Sequence, residues 1–157
     1  TDETGKTLVE GSGDGSGVVI RDESGNEVLK ADENSMVLTD EDGNSSTFQG
    51  GEGAGRPSDV PADMPSPPGA TDFNYFTYNQ MASLNYQLGG RDLETNCSEI
   101  QQMVEGAGWQ VSESGFNFQT EDSIAKNYEN ADYNLVVMCG LQEDGVHIGL
   151  QKEAKTK

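Results

Sequence analysis

Tyr133-Asn134-Leu135-Val136-Val137-Met138-Cys139-Gly140-Leu141-Gln142-Glu143-Asp144-Gly145-Val146-His147-Ile148-Gly149-Leu150 is the stretch on which the fold turns. Side chains alternate across a strand, so Tyr133, Leu135, Val137, Cys139 and Leu141 share one face, and Val146, Ile148 and Leu150 share one face after the Glu143-Asp144-Gly145 turn. A sheet with one apolar face needs a cover. Upstream, Leu93, Cys97, Ile100 and Val104 stand at i, i+4, i+7 and i+11, which makes a single helical stripe. Asp92 is placed to cap that helix, and Gly106 and Gly108 to end it.

Working outward, 82–88 alternates strictly between apolar and polar residues, and 73–78 reads as its partner strand. Further strand-like segments fall at 109–112, 116–119 and 124–128. Residues 71–157 are therefore expected to be a small α+β domain, an antiparallel sheet covered on one face by a single helix.

The two periodicities meet at sulfur. Cys97 lies on the helix stripe and Cys139 on the apolar strand face, so both thiols point into one helix–sheet seam. A disulfide is the sharp reading, contributing roughly 4 kcal/mol in the chain-entropy model, and implies an oxidising compartment. Two separate buried thiols are the plain alternative. The single histidine, His147, has the opposite parity from Val146 and Ile148, which places it toward solvent. Two cysteines alone do not close a tetrahedral metal shell, so no metal or cofactor is expected.

All five prolines lie between Pro57 and Pro68, behind a Gly-rich run, and 51–70 reads as an extended connector. Ten of the eleven aromatics follow it, leaving Phe48 alone in 1–50. That N-terminal region carries a repeat at 18 residues: Val19-Ile20-Arg21-Asp22-Glu23-Ser24-Gly25-Asn26 matches Val37-Leu38-Thr39-Asp40-Glu41-Asp42-Gly43-Asn44. A β-branched run followed by an acidic Gly turn is a hairpin pattern, so 1–50 reads as a strip of acidic hairpins. Such a strip has too few large apolar groups for a core. Packing on the domain, stacking as a solenoid, pairing with another chain and remaining mobile all stay open. The aromatics at both parities of 73–78 suggest that the strip docks on a second face there.

The 157 residues contain 28 Asp+Glu against 9 Lys+Arg, a formal charge of -19. A surface that tracks phosphates needs clustered cations, so nucleic acids and anionic membranes are excluded as partners. No apolar run approaches the roughly 18 residues of a transmembrane helix.

The string Pro57-Ser58-Asp59-Val60-Pro61-Ala62-Asp63-Met64-Pro65-Ser66-Pro67-Pro68-Gly69-Ala70 resembles the P-x-D-[FV]-P-x-D-x-P-x-x-P-G-A segment of small bacterial extracytoplasmic lipoproteins and secreted proteins. In these, two strands, a helix ending in Ala107-Gly108-Trp109 and more strands follow. The resemblance implies export and a lipidated N-terminal cysteine on a precursor, since the sequence opens at Thr1 without signal peptide or lipobox. It brings no activity with it.

Catalysis needs a nucleophile, a base and a group that orients the base. One outward histidine and two seam cysteines do not supply that set, and 28 carboxylates make no particular pair stand out. The chain is thus read as non-catalytic, an extracytoplasmic binding or envelope-structural module for a protein partner. The alternative is an acidic inhibitor or immunity-type protein for a basic enzyme. A third reading is weak calcium binding at Asp40-Glu41-Asp42-Gly43-Asn44, which lacks the distal Glu of a calcium loop.

Overall fold

A computed structural model describes residues 9–11, 17–90 and 92–156. Five strands precede the prolines: β1 Val9–Gly11, β2 Gly17–Arg21, β3 Glu27–Asp32, β4 Ser35–Thr39 and β5 Ser45–Gly50. After them come β6 Thr71–Tyr78, β7 Met81–Leu88, α1 Leu93–Gly106, β8 Gln110–Val111, β9 Phe118–Gln119, β10 Ser123–Glu129, β11 Tyr133–Gln142 and β12 Gly145–Ala154. All twelve strands form one antiparallel sheet in the order β1-β2-β3-β4-β5-β6-β7-β12-β11-β10-β8, with β9 on the edge of β10 that β8 also uses.

The α+β class expected from the sequence is overturned. The described chain is 51% strand and 10% helical, and the hairpin strip is not a separate preamble to a helix-covered sheet. It is the same sheet: β5 pairs with β6 in register, with Ser46 opposite Tyr78 and Phe48 opposite Phe76. Dimensions explain why one helix cannot set the class. Fourteen residues make a rod roughly 21 Å long and about 10 Å wide. At about 4.8 Å per strand, the sheet is roughly 48 Å across.

The helix lies where its stripe predicts. Leu93, Cys97, Ile100 and Val104 are buried against β10, β11 and β12, and the Asp92 carboxylate accepts the Thr95 N–H at 2.9 Å. Leu135, Val137, Cys139, Val146, Ile148 and Leu150 meet them from the sheet.

The rest of this core face is closed by the proline stretch, which is not an extended connector. Pro57, Pro61 and Pro67 each accept a bond from the N–H three residues on, giving three tight turns. Prolines bring no N–H that would be stranded away from a ladder. Val60 and Met64 enter the core from these turns. Trp109 donates its indole N–H to the Asp63 carbonyl at 2.7 Å, and the Tyr86 hydroxyl reaches the Pro65 carbonyl at 3.1 Å. Lys152 Nζ holds Asp63 at 2.7 Å while lying 4.3 Å from the Tyr133 ring centre. Arg56 ties the segment to itself through the Pro61 and Met64 carbonyls.

Candidate functional site

Residues directly opposite in an antiparallel ladder share a face, so the registers define what the far side of the sheet presents. One row runs Val18, Ala31, Met36, Phe48, Phe76, Ser83 from β2 to β7. The next runs Ile20, Leu29, Leu38, Ser46, Tyr78, Met81 and gains Val9 from β1. A third runs Gly50, Asn74, Asn85, Gly149, Met138, Ala125, Phe118. None of these residues is charged, in a chain where 24% are; the second row meets its first charge at Glu153 of β12, opposite Met81. The helix and the proline stretch lie on the opposite side.

A bulge maintains the segregation. The register slips between Ile20 and Arg21, so Arg21 faces Glu27 and not the residue strict alternation would bring. Arg21 pairs with Glu27 at 2.7 Å and with Glu10 at 3.7 Å. Glu10 is opposite Val19, on the other side from the three rows. The slip therefore moves Glu27 off the uncharged face.

This face is exposed in its N-terminal part. Val9, Val18, Leu38 and Tyr78 are 41–56% exposed, and Met36 is 37% exposed. The strip does not dock on the outer face of β6 as the aromatics there suggested. Phe76 turns outward, beside Phe48 in the same plane.

Acidic turns frame the face. Asp22 Oδ1 accepts the N–H groups of Ser24 and Asn26 at 2.8 and 2.9 Å, and Oδ2 accepts Asn26 Nδ2 at 2.9 Å. Asp40 repeats the arrangement with Asp42 and Asn44. Gly25 and Gly43 supply the left-handed φ of 88° and 83° that each turn requires. The side-chain and backbone bonds from Asn26 and Asn44 hold these two carboxyls below their ordinary value of 3.8. Both oxygens of each already accept bonds from the turn, which is why Asp stands there. Among the described residues, no group of three or more His, Cys, Asp or Glu is arranged to hold a metal ion.

Cys97 and Cys139, the site residues expected from the sequence, form a disulfide with Cα atoms 5.9 Å apart across 42 residues. His147 lies on the outer face, with Nε2 3.0 Å from Asp144 Oδ1. It borders a cleft of about 410 Å³ whose lining includes Asn74, Asn85, Gln87, Phe118 and Met138.

The sequence reading overlooked the uncharged face. Its trace was present: Val18 with Ile20, Met36 with Leu38, and Phe76 with Tyr78 repeat at a spacing of two. The traces join only once the registers are known.

No protein-family model, curated protein or solved structure matches the chain. A functional reading therefore rests on the site's own chemistry. The disulfide is compatible with an extracytoplasmic location, and no helix among the described residues is long and apolar enough to cross a membrane.

Proposed function

We propose that this protein is a non-catalytic extracytoplasmic module, derived from a bacterial lipoprotein, that binds a protein or builds envelope structure through the outer face of its sheet. The observation that carries this reading is the charge segregation: two ladder rows that carry no ionised side chain from β2 to β7, the first charge in the second row being Glu153 of β12, and a third row without one from β5 to β9, in a chain of net charge -19. A face that only met water would have no reason to exclude charge, whereas a face desolvated by a partner would, since each unpaired buried charge costs several kcal/mol. Interface centres are likewise depleted of charged residues and enriched in Met and aromatics. Both cysteines are tied in the bridge, so neither offers a thiol nucleophile, which fits a binding role.

Affinity capture from a native envelope extract tests this. Wild-type, oxidised protein is compared with Met36→Glu, which places a carboxylate in the centre of the face. Retention of an envelope component by the wild type and its loss with the variant support the reading. Equal retention overturns the role of the face, and recovery of the native protein in the cytosol overturns the location. A second reading, the acidic inhibitor of a basic enzyme, draws on the acidic turns that frame the face. It requires binding that weakens steeply with salt.

A further inference from the structure

We infer that the outer face of β1–β7 is covered by a second copy of this chain, the two sheets stacking face to face. This rests on the binding-module reading and names its occupant.

Area is the first reason. Seven strands about 4.8 Å apart and roughly five residues of ~3.3 Å deep give on the order of 500 Å² per copy. Two copies together bury about 1,000 Å², the threshold for a specific interface and short of the ~1,600 Å² of a standard one, so the expected dimer is of the weak, reversible kind. Two such faces would pack about 10 Å apart, as sheets do in sandwiches.

Charge is the second. A two-fold contact brings the same surface from both copies together. For a chain this acidic, self-contact is affordable only through a region without carboxylates, and the rows through Met36, Leu38, Phe48 and Phe76 are such a region. The acids stay at the margins, at Asp22 and Asp40 at one end of the strands, Asp32 at the other and Glu153 of β12 beside Met81, where they remain in water.

The third is the strip itself. Strands β1–β5 extend the sheet beyond β6, and their outer face has no second layer within the described residues, although an apolar sheet face is stable when packed against another layer. Stacking supplies one.

The rims carry like charge, so they repel, and salt relieves the repulsion. The dimer tightens with ionic strength, opposite in sign to binding of a basic partner. Sedimentation equilibrium of the full, oxidised chain from about 5 µM to about 500 µM reads this directly. Between about 50 mM and about 500 mM NaCl, the dimer dissociation constant is expected to fall on the order of tenfold. Met36→Glu and Leu38→Glu each weaken it tenfold or more, while Val37→Glu, one residue along and on the opposite face, leaves it unchanged. Circular dichroism and amide exchange in β3–β5 verify that each variant keeps the strip folded, and two face variants guard against one that does not.

A wild type that stays monomeric at every concentration and salt overturns the second copy, as does association that weakens with salt. Loss of the dimer in Val37→Glu equal to that in Met36→Glu overturns the face. A monomer that still retains an envelope component through Met36 would sink this inference and leave the binding-module reading standing.

Discussion

In β12, Val146, Ile148 and Leu150 are at most 1% exposed, whereas in β4, four places along the same sheet, Met36 and Leu38 are 37% and 41% exposed. Both strands pair on two edges, and both carry large apolar side chains two residues apart on one face. The difference is the face and what covers it: Val146, Ile148 and Leu150 point to the side closed by α1 and the folded proline stretch, whereas Met36 and Leu38 point to the opposite side, over which the described chain brings no layer. Alternation thus records which face a residue takes, and burial depends on what the chain brings back to that face.

The largest test of this contrast is at the disulfide. Removing it, as Cys97→Ala with Cys139→Ala, releases a 42-residue span and is expected to cost about 4 kcal/mol. The fall appears in the urea midpoint of the covered region, and an unchanged midpoint would mean that the helix layer is not what holds that half together. Next comes a matched pair of truncations. Leu135→Ala, at a fully buried site, should cost about 3 kcal/mol, and Leu38→Ala less than about 1 kcal/mol. Equal losses would show that both halves are layered alike.

A smaller effect probes the proline lid. Lys152→Met removes the cation that holds Asp63, at a cost of about 1–2 kcal/mol. Exchange of the Trp109 indole N–H should quicken, because its acceptor is the Asp63 carbonyl. Unaltered exchange would show that the lid docks without the ion pair.

The smallest effect is on the strip alone. Asp22 and Asp40 have carboxyls held below 3.8 by their turn bonds, so their contribution is complete above that value and is lost as pH falls through the lower, folded value. Acidification below the ordinary value of 3.8 should loosen the amides of Ser24, Asn26, Asp42 and Asn44 before those of β11 and β12, as read by amide exchange. Simultaneous loosening would tie the strip to the covered half more tightly than its exposure implies.

Some of this was legible in the residues. The helix and its cap followed from one stripe and one aspartate, and the placement of Cys97 against Cys139 followed from two independent periodicities crossing at one seam. The twin Asp-to-Asn turns were visible as a repeat. The uncharged face was legible only in fragments, because parity within a strand does not reveal which neighbour continues the row. The bulge after Ile20 reverses parity midway, so counting by twos would have put Glu27 on the wrong side. The prolines pointed to a spacer because proline is read locally, by its missing donor, while the bonds from Tyr86 and Trp109 that fix the segment come from partners 21 and 46 positions away.

The sequence by itself determined the local structure: where strands alternate, where the helix starts and stops, which turns need glycine, and that the chain is acidic with one oxidisable pair. These depend on interactions within a few residues, which composition and spacing encode directly. Only the tertiary structure decided that strip and domain are one sheet, that the proline stretch is a lid, and that two rows without charge line up across β2–β7 and a third from β5 to β9. Edge-to-edge pairing of β5 with β6 is made by backbone N–H and C=O groups that every residue carries, so no side chain announces it in advance.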